Sequence, residues 1–340
     1  MKNKSITLII LVLFANSFIH AQINGRLYGE KGDFIALAKR PLLVELQEED
    51  PDVIKSLSKK EKTADKLKEY KTFIADYNKL IKLAVLKYWK YNDKIEFKTV
   101  TEVKKLKDSN NDKYAVLSYI QLHDHAKYGG ALISSNKTIY ALSYSRIESK
   151  ESKPDYKICM PSSGIREGDK YYESDFKLAL TGAQAHLKWM IQNDKTNQFQ
   201  EYLEIVVNGN CPKLKSLVLQ AEQGFLQQKV FMQKELTEAE AKQAYGHNLN
   251  FVTADELNTS YTGNKKGTAV LFIIPYGTTH PTSLGPMTSV QQVALLACYK
   301  VVVNCETNEI LWVEVPGKIS HGSTQPYLKE SEFKNMGECK

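Results

Sequence analysis

The chain has 340 residues, 42% hydrophobic and 25% charged, with 10 Pro and 18 Gly, a globular composition that excludes fibrous and disordered classes. Its formal charge is +7, two units of which come from Lys2 and Lys4, and so mild an excess does not by itself point to nucleic acid. This length predicts two domains.

The first element in chain order is a leader. Lys2 and Lys4 form a basic start, the residues from Ile6 to Ala15 are almost all apolar, and Ala21 offers the small residue that a signal peptidase needs. The apolar run is about half the roughly 20 residues of a spanning helix, so the expectation is a cleaved signal ending at residue 21 rather than an anchor. No cysteine stands at the cleavage point to carry a lipid, and no later run reaches spanning length. The product is expected to be soluble, and periplasmic or secreted.

Pro41–Leu46 reads as an opening strand. A long helix follows, because Leu67, Tyr70, Ile74, Tyr77, Ile81, Ala84 and Tyr88 alternate at spacings of three and four. Next come a strand at Ile95–Thr99, a short helix holding Glu102, and strands at Tyr114–Leu122, Ile139–Ile147 and Tyr156–Met160. Ser174 is placed to cap a helix whose face is Phe176, Leu180, Ala183, Leu187, Met190 and Ile191. A polar stretch and the turn Asn208-Gly-Asn210 lead onward. The second half opens with a short strand at Leu217–Leu219 and a helix started by the capping box Thr237-Glu-Ala-Glu240 and ended by Gly246. Strands at Leu249–Thr253, Thr268–Tyr276, Val293–Val303 and Ile310–Val315 follow, with a helical turn holding Glu256 after the first of them.

The two halves match. Shifted by 154 residues, Tyr91, Phe97, Thr99 and Glu102 fall on Tyr245, Phe251, Thr253 and Glu256, and Ala115-Val-Leu117 falls on Ala269-Val-Leu271. Nine of the thirty positions from Tyr91 to Ile120 are identical without a gap. A repeat of this kind sets the architecture. The fold class expected is α+β: two tandem related units of β-α-β-(α)-β-β-β order joined by a helix. The boundaries are residues 1–21 for the signal, 22–165 for the first repeat, 166–212 for the linker helix, 213–318 for the second repeat and 319–340 for a flexible tail.

The closing hairpin Val301-Val-Val-Asn-Cys-Glu-Thr-Asn-Glu-Ile-Leu-Trp312 resembles the last hairpin of the TolB N-terminal-domain-like and curli-assembly CsgG-like families. Those end in a strand, an acidic-Thr-Gly turn and a strand, and here Asn308 replaces the glycine, as a residue that visits left-handed backbone. The resemblance implies envelope localisation, a binding or assembly role and no catalytic residues.

Candidate chemistry is sparse. His123-Asp-His125 is the one compact ligand-like cluster: on an extended segment both imidazoles face one way, as zinc or copper requires, and His280 lies at the corresponding strand end of the second copy. Against it, the cluster sits where a strand runs into a loop, the usual place for solvated polar residues. His186 and His247 are read as structural. Glu102 and Glu256 recur as a pair of acids, but each lies three residues after a threonine and is read as the far half of a capping box. Gly263-Asn-Lys-Lys-Gly267 has the flavour of a phosphate loop with the wrong spacing, and reads as a strand-linking turn. Nucleophile elbows, His-Glu-x-x-His and Cys-x-x-Cys are absent, and no cofactor is expected.

Five cysteines, an odd number, do not form a disulfide framework. Cys298 reads as a core thiol too far along one strand from Cys305 to bridge it, and Cys305 with Cys339 or Cys211 is left open. Residues 51–110 hold 16 Lys against nine acids, yet no Arg lies between Arg40 and Arg146. Lysines opposite an apolar stripe read as a solvated helix face, so nucleic acid is disfavoured and an anionic surface is the better fit. The function expected is a non-catalytic binding or assembly protein of the bacterial envelope, with envelope protein partners. A small-ligand, metal or anionic-surface binding protein and an unrecognised hydrolase are the alternatives.

Overall fold

The computed structural model describes residues 25–59, 64–109, 112–122, 126–128, 131–133, 139–147, 154–163, 165–166, 170–193, 202, 209–227, 234–279, 295–314 and 326–339. Residues 1–21, read from the sequence as a signal, lie outside them.

The first unit opens with β1 (Gly25–Tyr28) and α1 (Lys31–Ala38). It continues with β2 (Leu42–Leu46), α2 (Pro51–Ser58), α3 (Ala64–Tyr88), β3 (Ile95–Thr99), α4 (Val100–Asp108) and β4 (Ala115–Leu122). A small hairpin, β5 (Ala126–Tyr128) with β6 (Ala131–Ile133), precedes β7 (Ile139–Arg146) and β8 (Asp155–Cys159). The helix α5 (Glu173–Asn193) joins it to the second unit. That unit runs β9 (Val218–Glu222), α6 (Glu238–Tyr245), β10 (Leu249–Val252), α7 (Ala254–Thr262), β11 (Thr268–Thr279), β12 (Leu295–Asn304) and β13 (Ile310–Glu314), and is followed by α8 (Glu330–Glu338).

The two sheets have one plan. The first has the order β1-β8-β7-β4-β2-β3 and the second, read the same way, β13-β12-β11-β9-β10. In each, one strand (β2 in the first, β9 in the second) lies second from an edge and parallel to both neighbours, and the last three strands run antiparallel. Register agrees residue by residue: Leu42 faces Ile95 and Ala115, and Leu219 faces Leu249 and Ala269, partners that differ by the 154 residues of the repeat. The protein is therefore α+β with two similar units. β1, which the sequence reading did not contain, adds an antiparallel strand to β8, whereas no described strand pairs with the outer edge of the equivalent β13.

Local chemistry explains the elements. Ile74, Tyr77, Ile81, Ala84 and Val85 of α3 are buried against the sheet, as its spacing predicts. Thr99 and Thr253 each accept the amide of the glutamate three residues on, and Glu102 and Glu256 return the bond, so both capping boxes exist. Thr237 with Glu240 makes a third, and Gly246 ends α6 at φ 72°, where a side chain would be strained. At the closing turn Asn308 has φ 59°, and the Asn304 carboxamide oxygen accepts from the amides of Glu306 and Thr307.

Three expectations need correction. Ser174 lies in the first turn of α5 and is not its cap; instead the Asp175 carboxylate accepts from the Tyr172 amide at 2.8 Å. Asn210, expected in a turn, lies in the helical residues 209–214. Residues 319–340 are not all a flexible tail: in α8, Phe333 and Met336 are buried in the core of the second unit and Cys339 is disulfide-bonded to Cys211, with Cα atoms 5.7 Å apart. Cys305 is thus free and buried, as are Cys159 and Cys298. The signal for α8 was two apolar residues three apart in a charged segment, too short for periodicity to register. Gly337 lets α8 approach α6 closely, since a Cβ there would collide with the Tyr245 carbonyl. Beneath α8, Lys300 and Glu332 form a buried ion pair.

The joining helix is part of both units. Phe176, Ala179, Leu180, Ala183, Leu187 and Met190 of α5 belong to the core of the first unit, packed with α3, while Leu178 belongs to a core of the second.

Candidate functional site

Open sheets with parallel strands bind ligands beyond the carboxyl ends of those strands, where consecutive connections leave to opposite faces. Both units have such a point. In the first, α3 packs on the face carrying Leu42, Val44, Ala115 and Leu117, while α4 packs on the face carrying Leu43 and Val116. In the second, α6 covers Leu219, Ala221, Ala269 and Leu271, while α7 lies over Val270 and Phe272. The points to compare are therefore the ends of β2 and β3 and the ends of β9 and β10.

They differ in one respect. In the first unit the space under α4 is sealed by Leu43, Val103, Val116 and Ile147, with Leu106 packed against them. The registers of β2 and β9 make Gln220 the equivalent of Leu43, since Leu43 faces Glu96 and Val116 while Gln220 faces Asn250 and Val270. The 154-residue shift makes Ser260 the equivalent of Leu106. Two positions that are apolar in the first unit are polar in the second, and a cleft of about 340 Å³ opens there, lined by both residues together with Val252, Asp255, Glu256 and Lys265.

Gln220 is only 5% exposed, and its side-chain oxygen is buried with no hydrogen-bond partner. An unsatisfied acceptor of this kind costs about 1–3 kcal/mol, a penalty that leucine at this position would not incur. At the surface, Glu256 is committed to its cap: the Thr253 amide at 2.8 Å holds its carboxyl below the usual range. Asp255 accepts from the Tyr172 hydroxyl at 3.3 Å. Lys265 supplies an exposed cation. The cleft thus offers a polar lining, two carboxylates and one ammonium, with no paired acid and base at its centre.

A second hollow of about 520 Å³ lies between the turn Gln223–Phe225 and the start of α6. Its amides are already used: Gln223 donates to Glu238 at 2.9 Å and Gln227 to the Lys234 carbonyl at 2.6 Å. It has nothing comparable to Gln220.

The junction between the units carries the most unusual electrostatics, in a structural role. Arg166 is buried between Asp175 at 2.6 Å and Glu222 at 2.9 Å, and its guanidinium stacks on Tyr172. Lys177 donates to the Tyr261 carbonyl at 2.6 Å and to Asn264 at 2.7 Å, and burial pushes its pKa down to about 8. His186 bonds the Tyr156 hydroxyl at 3.1 Å and is pushed down to about 4 by burial, so it is a neutral core residue. His247 is 3.3 Å from the Gly337 carbonyl. Both have structural settings.

The metal candidates His123 and His125, and His280 with them, lie outside the described residues. Among the described residues no group of His, Cys, Asp and Glu could hold a metal ion. The Gly263–Gly267 segment is the turn between α7 and β11, with Gly267 at φ 64°. No helix of the described residues is long and apolar enough to cross a membrane. Sequence reasoning missed Gln220 because β2 and β9 lie 177 residues apart, not 154, the first unit having two helices where the second has one. Comparison of the chain with protein-family models, with curated proteins and with solved structures found no match.

Proposed function

We propose that this is an exported, non-catalytic binding and assembly protein of the bacterial envelope, in which the first unit is a scaffold and the second carries the recognition cleft. The observation that carries the reading is the exchange of Leu43 for Gln220 at one position of a repeated fold. A duplicated module is free to lose stability at one copy when something binds there, and a buried amide oxygen without a partner is such a loss. Location rests on the leader and on the resemblance of the closing hairpin to envelope families. The volume of the cleft falls within the roughly 300–1,000 Å³ of small-molecule sites, which favours a polar small ligand as the second reading.

The test is cross-linked purification of the tagged protein from its native envelope, wild type beside Gln220→Leu. The expected result is one or two stoichiometric envelope proteins held by the wild type and depleted with the variant. Equal recovery with both would remove the cleft from the reading, and no partner with either would leave the small ligand as the lead.

A further inference from the structure

The helix α3 is anchored by one side and bare on the other. Its exposed residues from Lys79 onward are Lys79, Lys82, Leu83, Leu86 and Lys87, and Lys90 follows just beyond its end. Leu83 and Leu86 are 45% and 59% exposed, and with Tyr28 they are the large hydrophobic residues left at the surface among those described. Neither contributes to the buried stripe that holds the helix down.

The charge around them has one sign. Residues 77–92 contain four lysines and no carboxylate. Lys87 is taken up by Glu173 at 2.8 Å, and Asp76 is exposed one turn before Lys79. Among the described residues no carboxylate pairs with Lys79, Lys82 or Lys90, and the Lys90 ammonium reaches only the Leu86 carbonyl at 3.1 Å. Lys79, Leu83 and Leu86 follow at spacings of four and three, so they form a single ridge about 10 Å long at 1.5 Å per residue, and the Lys90 ammonium folds back to its end at the Leu86 carbonyl.

We infer that the second half of α3 docks on a bilayer surface containing anionic phospholipid, with Leu83 and Leu86 entering the boundary between headgroups and acyl chains and Lys79, Lys82 and Lys90 meeting the phosphates. A ridge with apolar residues at its middle and long basic side chains around them is the profile of an interfacial helix. An acidic protein partner would be better met by a groove and by arginine forks, and here the surface is convex and every cation is lysine, a point charge suited to a diffuse field. This face is independent of the cleft at Gln220.

Co-sedimentation of the full chain with vesicles of phosphatidylcholine alone, and of two parts phosphatidylcholine to one of phosphatidylglycerol, tests it. Binding to the anionic vesicles only is expected, with about a fivefold loss for each unit of charge and so about a 25-fold loss for each lysine reversed in Lys79→Glu/Lys82→Glu. Leu83→Ser/Leu86→Ser is expected to weaken binding about tenfold or more at unchanged charge. Both pairs are exposed, and unfolding in urea at the wild-type midpoint will show that the fold is kept. Equal binding to neutral vesicles, or wild-type binding by the leucine variant, would overturn the inference. So would an equal loss in Lys104→Glu/Lys105→Glu on α4, which changes net charge alone.

Discussion

Loss of the Cys211–Cys339 bridge should weaken the protein without removing α8 from its place. The bridge joins residues 128 apart in sequence. In the chain-entropy treatment a loop of that size removes about 17 cal/mol/K from the unfolded ensemble, or about 5 kcal/mol at 25 °C. That is an upper figure, because unfolded chains retain structure and the cross-link need not act by entropy alone. The helix has other holds, since Phe333 and Met336 are buried and Glu332 meets Lys300 beneath it. The reduced protein should therefore still fold, with a lower urea midpoint. Thiol titration in denaturant comes first: three of the five cysteines should react before reduction and all five after. Urea unfolding of oxidised protein, reduced protein and Cys211→Ala/Cys339→Ala then measures the difference. Five reactive thiols at the outset would refute the bridge, and coincident midpoints would refute its stabilising role.

Other outcomes follow from the junction, the caps and the cleft. Arg166→Met leaves Asp175 and Glu222 buried without their cation and should cost about 3–5 kcal/mol in urea unfolding; a loss under about 1 kcal/mol would show that the trio is solvated. Lys177 carries a pKa pushed down to about 8, below the ordinary lysine value of 10.5, so between those pH values the unfolded chain holds a proton that the native one has lost. Wild-type stability should therefore rise, relative to Lys177→Met, as pH increases through that window; a constant difference between the two proteins from pH 7.5 to 10.5 would contradict it. Thr99→Ala and Thr253→Ala should each cost about 1 kcal/mol by thermal or urea unfolding, and no loss would mean that water replaces the caps. Gln220→Leu should raise stability by about 1–2 kcal/mol while abolishing partner or ligand retention, and a destabilised variant would show that the amide is satisfied in solution.

Much of this architecture was written in short-range patterns. The stripe of α3, the three Thr-x-x-Glu boxes and the turn at Asn308 each depend on neighbours within a few residues, and periodicity and short motifs found them. What escaped depends on distant parts of the chain. β1 has only four residues and exists because β8 offers an edge. The packing of α8 depends on the pocket it shares with α6, far away in sequence, and for the bridge cysteine spacing left two other pairings open. Gln220 falls one residue beyond the short strand expected at Leu217–Leu219; its meaning comes from standing where the first unit has Leu43.

The joining helix has a consequence for how the protein comes apart. Across the junction, the Ser162 amide donates to the Ile273 carbonyl, the Ser174 amide to the Asn258 side-chain oxygen, the Lys177 ammonium to the Tyr261 carbonyl and the Arg166 guanidinium to Glu222. A fragment cut between the sheets would strip apolar wall from the first core if it lost α5, and would leave the upper side of α7 bare if it kept it. The two units share a plan and are bonded to each other through α5 and its approach. Hydrogen exchange should find their central strands opening together, as a single cooperative unit rather than two domains on a tether.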